Sequence, residues 1–461
     1  MKKVRALLVW AVIIALTLSM AACGNSGATK TTTTQTEVSS TVPAASDTAT
    51  PSTPAEKVTV NFGMIAFANE IPGWTAMISA ANTKLAEKNI EIKITQIPAQ
   101  GWPEYYQKII TQMAAGNAPD IGRTAESFLP QFINKGQVVD LTEYLKDLDM
   151  SQYYEKTFQG SSFQNGKYYG LPSGVYDMVM YYNKDLFQKA SLQTPSQDWK
   201  NAVSFDQVRE YAKKLTSGEG ANKIFGFWGG PYMAYIGMYS KSNGGKNVFN
   251  EDGTPAINDA TAKGVYKWFD DMLRTDKTMP SPTVTKVMGA TDLFKAGRLA
   301  MCVDGTWNQQ AMKAITKFKV GIAAVPAGKG QAYSSQFVDT FVMFKGTKHE
   351  KESWEALKAI ISKEGFDALA PSGTGGIPVV KATVEGMKDV MFGTSFDDND
   401  KKCYFDAFDN VLGVPYSEYY QEADSKVNAA MDEWMLGKIT SDQFADNVND
   451  ILVKTAAAYK K

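Results

Sequence analysis

Val58-Thr59-Val60-Asn61-Phe62 alternates apolar and polar side chains, and Ile90-Glu91-Ile92-Lys93-Ile94 does so again. Between them Trp74, Met77, Ile78, Ala81 and Leu85 recur at the spacing of one helical face. Side chains alternate along a strand and repeat every 3.6 residues along a helix, so this switch of period and its return predict a β-α-β opening. Pro103 suits the first turn of a following helix with Tyr106, Ile109, Ile110 and Met113 on its apolar face, and Gly116 is placed to end it. Pro119-Asp120-Ile121 then begins another strand. Such alternation predicts an open α/β sheet, with ligands expected where loops leave the C-terminal ends of strands.

The scheme continues downstream. Ser204 with Gln207 forms a capping-box pattern before a helical face of Phe205, Val208, Tyr211, Ala212 and Leu215. Further helices are predicted around Ala262, Val265, Phe269 and Leu273, and around Trp354, Leu357, Ile360 and Ile361. Leu299 to Val303 and Val320 to Val325 read as buried strands, and no solenoid-type repeat is present.

The N-terminus has a different character. Lys2, Lys3 and Arg5 precede an apolar run from Ala6 to Met20, which is shorter than the ~20 residues of a membrane span and reads as a signal peptide covering 1–22. Met20-Ala21-Ala22-Cys23 has the form of a bacterial lipobox, so Cys23 is the expected lipidation site. From there to residue 57 the chain is dominated by Thr, Ser, Ala and Pro and is expected to be a disordered tether, because it has too little apolar surface to offset the entropy of ordering. Its reach as a flexible coil is about 30 Å. The expected location is therefore extracytoplasmic, anchored to the cell membrane by lipid at Cys23.

Composition excludes several chemistries. Residues 1–22 contribute three basic residues of the 48 and no acidic residue of the 49, so removing them moves the formal charge from −1 to −4. A nucleic-acid partner is not expected. The ordered part, from about residue 58, exceeds what one core usually supports and predicts two lobes. Cys302 and Cys403 are read as buried free thiols. His349 is the only histidine and looks like a solvated helix start, which removes histidine triads and histidine zinc sites from consideration. There is no Walker A sequence, Gly373 to Gly376 is too short a glycine signal to mean phosphate, and Asp397, Asp398 and Asp400 lack the pattern of a calcium loop and read as a solvated loop. No cofactor or metal is expected. Paired carboxylates of a glycoside hydrolase remain open, because their spacing exists only in three dimensions.

Several segments together resemble the sugar-binding class of extracellular solute-binding proteins of ABC importers, the maltose and multiple-sugar receptors. These are Ala114 to Ile121, Gly136 with Val139 to Thr142, Gly166 to Pro172, Tyr181 to Phe187, and above all Phe294-Lys295-Ala296-Gly297-Arg298-Leu299-Ala300-Met301 followed by Gly305-Thr306-Trp307. The resemblance runs along most of the ordered chain. It implies a two-lobed α/β fold of the type II periplasmic-binding-protein kind, with lobe 1 formed by 58–175 plus 340–385 and lobe 2 by 176–339 plus 386–461. The chain would cross between lobes near Ser173 to Asp177, Phe337 to Phe341 and Val380 to Met387. It further implies a monomeric receptor, not an enzyme, that closes over a carbohydrate and presents it to the transmembrane subunits of an ABC permease. The alternatives are a binding protein for a non-sugar solute and a secreted glycoside hydrolase.

A sugar offers hydroxyls at its rim and CH groups on its faces, so its pocket combines flat rings with fixed polar partners. Trp307, after a buried strand in the Gly-x-Trp motif, is the first candidate platform; Trp228 and Tyr232, on the Gly-rich turn Gly226 to Tyr232, are next. Asn69 and Glu70 follow the first strand, and Arg123, Thr124 and Glu126 follow the third. This last loop departs from the maltose receptors, which carry an aromatic residue and an acidic-basic pair there. Tyr176 and Asp177 lie at the first crossing, Asp339 at the second, Gly375 in the glycine loop near the third, and Tyr419 at the start of a late helix. Trp74 reads as core, and Trp102 as a loop residue that could face the cleft.

Overall fold

A computed structural model describes residues 56–459, apart from 66, 69, 165, 251–253, 258 and 414–415. The signal peptide, Cys23, the tether up to residue 55 and Asn69 therefore lie outside the described residues. The strands are β1 (Val58–Met64), β2 (Ile90–Gln96), β3 (Ile121–Thr124), β4 (Phe163–Gln164), β5 (Lys167–Tyr168), β6 (Leu171–Asn183), β7 (Phe225–Trp228), β8 (Leu299–Gly305), β9 (Val320–Ala323), β10 (Ser334–Met343) and β11 (Val411–Gly413). The helices that matter below are α1 (Ile71–Leu85), α2 (Trp102–Ala114), α3 (Leu129–Asn134), α4 (Phe205–Leu215), α5 (Ala260–Asp270), α6 (Glu350–Ile360), α7 (Lys363–Leu369), α8 (Lys381–Phe392), α9 (Asp398–Asp406), α10 (Tyr420–Met435) and α11 (Ser441–Tyr459).

The opening β-α-β unit forms as its periodicity predicts. β1 pairs in parallel with β2 and with β3, and the predicted apolar face of α1 is buried. Both faces of this sheet are covered, as a parallel sheet requires. One packs against α1, with α6 and α7 behind it, and the other meets Tyr105, Tyr106 and Ile109 of α2 and Leu129 and Phe132 of α3.

β6 and β10 carry the chain through the middle of the molecule. The strand order is β2-β1-β3-β10-β6-β8-β7, with β11 beside β10 and β9 beside β6. All thirteen residues of β6 are buried, so no face of it is left to water. Leu171 to Asp177 pair with β10, whereas Met178 to Tyr182 pair with β8. At this change of partner, hydroxyls take over from the ladder: Asp177 N–H donates to Thr306 Oγ1 at 3.0 Å and Met178 N–H to Ser334 Oγ at 2.7 Å. Buried backbone donors need such partners. β10 in turn pairs with β6 over Gln336 to Phe341 and with β3 over Thr340 to Met343, with a register shift at Asp339/Thr340. A third connection is helical: the residue before α8, Val380, bridges to Tyr153, while Met391 near its end accepts a hydrogen bond from Gln309 Nε2 at 2.9 Å.

The second half of the sheet is flanked by α4 against β7 and α9 against β9, and α10 and α11 pack on one another and on α5. Two local readings need correction. Ser204 caps α4 by accepting from Gln207 N–H, but the Gln207 amide turns to Tyr211 instead of completing a capping box. Asp397 and Asp400 are not in a solvated loop; they form a reciprocal capping box on α9, and the fully buried Asp400 pairs with Lys184 at 2.7 Å and accepts the Ile322 N–H. The carboxylate pattern that resembles a calcium loop is thus explained by helix capping. Cys302 and Cys403 are buried and free.

Candidate functional site

A cleft of about 660 Å3 lies beside β3, β6 and β10. Its floor begins with Arg123 on β3, whose side chain is only 2% exposed. The guanidinium is held between ring faces, 4.6 Å from the centre of Trp74 and 5.2 Å from that of Trp102. Its nitrogens donate to Glu70 at 2.9 Å, to the Tyr176 hydroxyl at 3.0 Å and to Asp339. Glu70 also accepts from the Trp74 indole at 3.1 Å. Burial works against the cation, but Tyr176, Asp339 and Glu70 outweigh it and hold the Arg123 pKa above its ordinary value. Arg123 therefore stays charged and is neutralised by two carboxylates from separate elements.

Asp339 lies on β10 directly opposite Gly174 of β6. Burial raises its pKa to about 6, against the pull of Arg123 and with a further push from Glu70. Glu126, in the turn after β3, accepts the Val338 N–H and the Tyr416 hydroxyl. Its carboxyl is pushed well above the ordinary range, chiefly by burial, with nearby Asp339 adding to the effect.

The walls are aromatic. Trp307 sits in the turn after β8, and that turn is fixed by buried Thr306 through its bond to Asp177. The Trp307 ring lies over Gly305, where a Cβ would come within 2.3 Å of it, which gives the Gly-x-Trp motif a steric reason. Its indole is partly exposed and meets Tyr176 and Phe337 edge-on, with centroids 6.1 and 5.6 Å away. Tyr235 continues the wall beside Phe337, and Tyr232, 38% exposed, follows beside Tyr235. From α10 come Tyr420, Asp424 and Asn428, one per helical turn, with Gln421 and the preceding Tyr416. Asp424 accepts from Asn428 at 2.9 Å, and burial raises its pKa.

Of the candidates, Glu70, Arg123, Glu126, Tyr176, Tyr232, Trp307 and Asp339 line this one cleft. Trp228 does not: it is buried in β7 and touches Tyr232 only edge-on. Asp177 points away, fully buried, with Gln336 as its side-chain partner. Thr124 is buried behind Arg123, and Gly375 packs its carbonyl against Gly174, where a Cβ would approach that oxygen to 1.9 Å. Tyr419 turns its ring toward Phe249 and Tyr459, leaving the cleft to Tyr416 and Tyr420. Trp74 is core, as its spacing predicts, but its face supports Arg123. Trp102 does face the cleft. Phe337 and the α10 residues were missed, although strand alternation with Asp339 and the four-residue spacing of Tyr416, Tyr420, Asp424 and Asn428 were both available in the sequence.

Arg123 is the only basic side chain lining the cleft among the described residues. Rings above a floor whose one cation is paired with Glu70 and Asp339 make a site for a hydroxyl-bearing or weakly polar solute. The family model for bacterial extracellular solute-binding proteins matches residues 67–365, and the chain belongs to that family. A binding protein of Brucella abortus is 30% identical over 286 residues, which cover 61% of this chain and 67% of that one. The galactooligosaccharide-binding protein of Bacillus subtilis is 24% identical over 314 residues, covering 64% and 68% of the two chains. Among solved structures, the ABC substrate-binding protein of Listeria monocytogenes in complex with cycloalternan superposes with a TM-score of 0.76 at 21% identity, over 87% of this chain and all of that one. The GacH receptor of Streptomyces glaucescens, solved unliganded and with acarbose, gives 0.72 at 21% identity over 87% and 98%. The fold is that of the type II periplasmic binding proteins.

Proposed function

We propose that this protein is a lipid-anchored extracytoplasmic receptor that binds a carbohydrate and delivers it to an ABC permease. The observation that carries this reading is the pairing of an aromatic wall, from Trp307 to Tyr232, with a floor whose one cation is already neutralised by Glu70 and Asp339. An anionic solute would meet no unpaired basic group there, whereas a pyranose finds ring faces for its CH groups and fixed donors and acceptors for its hydroxyls. Relatives that bind galactooligosaccharides or maltooligosaccharides by name support the same solute class.

A thermal-shift screen against neutral oligosaccharides, amino acids, peptides and polyamines tests the reading. A ligand at 100 times its Kd that binds only the folded state adds about 2.7 kcal/mol of stability. Stabilisation by peptides or polyamines alone would replace the carbohydrate assignment. The bound sugar should be recovered unchanged after incubation; protein-dependent appearance of shorter sugars would instead indicate a hydrolase. The anchor is proposed from the residues around Cys23. Cys23→Ser should leave binding intact and shift the protein from the membrane fraction to the medium, and acyl-free wild-type protein in the medium would overturn it.

A further inference from the structure

Charge in the cleft does not balance. Among the described residues its lining carries four carboxyl groups, Glu70, Glu126, Asp339 and Asp424, against the single guanidinium of Arg123. Glu70 and Asp339 take up that cation at the floor. Glu126 and Asp424 have no ion pair among the described residues: the first is met by the Val338 N–H and the Tyr416 hydroxyl, the second by the Asn428 amide. Burial raises both carboxyls above their ordinary range, with no basic group beside either to oppose it. They enter the cleft from different elements, the turn after β3 and the middle of α10, and the Tyr420 hydroxyl feels both of them. The rings of Tyr416 and Tyr420 meet edge-on nearby, with centroids 4.6 Å apart. Beside Asp424 the buried amide oxygen of Asn428 has no hydrogen-bond partner. Carboxylates, ring faces and a spare carbonyl oxygen all attract the same group, a cation that carries N–H donors.

We infer that the solute is a carbohydrate bearing a protonated amine, and that Glu126 and Asp424 receive that amine. This rests on the carbohydrate reading above and specifies it. A neutral sugar leaves two desolvated acids without a counter-charge, and an acidic sugar adds one more negative group; an ammonium supplies the missing charge and draws both carboxyls into their ionised form. A hydrogen bond to a charged partner is worth about tenfold or more in affinity, so an amine should outbind the hydroxyl it replaces by that factor.

Calorimetric titration of the whole chain with matched sugars tests this. The probes are glucosamine and galactosamine oligosaccharides of one to four units, each set against its N-acetylated and its hydroxyl counterpart, with spermidine as an amine that carries no sugar. The expected result is a free amine that binds about tenfold or more tighter than both of its counterparts. Asp424→Asn and, separately, Glu126→Gln should narrow that preference; melting midpoints equal to wild type verify the fold of each, and the second variant serves if the first fails to fold. Counterparts that bind as tightly as the amines, or a preference that survives in the folded variants, overturn the amine assignment and leave the carbohydrate receptor in place. Spermidine binding as tightly as any aminated sugar, or no binding by any sugar, overturns both.

Discussion

Arg123 shows how one side chain can organise a site without facing the solute directly. It is buried, gripped by Glu70, Tyr176 and Asp339, and flanked by Trp74 and Trp102. Removing it strands two carboxylates in a desolvated place, so Arg123→Met should destabilise the fold by about 3 to 5 kcal/mol. Adding Glu70→Gln and Asp339→Asn should return much of that loss, because the stranded charges go with it; denaturant melts of the single and triple variants would show no recovery if the guanidinium acted only through packing. Trp307 is the opposite case, a partly exposed ring in a well-anchored turn. Trp307→Ala should weaken solute binding by roughly 1 to 3 kcal/mol, while its effect on stability stays below the ~3 to 5 kcal/mol of emptying a packed core position. Calorimetry paired with melts separates the two, and unchanged affinity with a large stability loss would make Trp307 a core residue.

At the scale of elements, the two long strands β6 and β10 set both the architecture and a pH response. Asp177 sits where β6 changes partner, fully buried, with Gln336 at 3.3 Å as its side-chain partner. Burial raises its pKa to about 7. Between pH 4 and 7 the folded state therefore keeps a proton that the unfolded chain has lost, and stability falls as pH rises through that window. Asp177→Asn should have little effect at pH 4 and stabilise the protein at pH 8 by at most about 4 kcal/mol, at 1.36 kcal/mol per pKa unit. A stability difference that does not change between those two pH values would remove the titration of Asp177 as its cause. These same strands show what the sequence made legible. Period-two alternation and helical spacing located β1, α1, β2 and α2, because each buries one face more deeply than the other, as Val60 and Phe62 do around exposed Asn61. β6 is buried on every side, so periodicity is silent there and its position came from resemblance to a family. The cleft was legible where a motif carries a steric reason, as Gly305 does for Trp307. On α10 the four-residue spacing of Tyr416, Tyr420, Asp424 and Asn428 was in the sequence, but nothing there told which of the neighbours Tyr419 and Tyr420 turns to the cleft.

For the whole molecule, we propose that β6 and β10, which pass beside the cleft, and α8 join two lobes that close on the solute. β6 changes partner after Asp177, β10 shifts register after Asp339, and α8 would be the third connection. If the halves close on the solute, small-angle scattering of the whole chain should show a smaller radius of gyration at saturation; an unchanged value with binding intact would make the cleft rigid. The crossings also govern when the protein can fold at all. β3 needs β10 at its side, and α1 needs α6 and α7 at its back, so the opening β-α-β unit stays incomplete until residue 369 has been made. No contiguous half of the message encodes a self-sufficient body, which argues against dividing the protein into two separately expressed pieces. A nascent chain of this kind stays unlocked for most of its synthesis, the condition in which a polypeptide can still be threaded through a membrane before it folds.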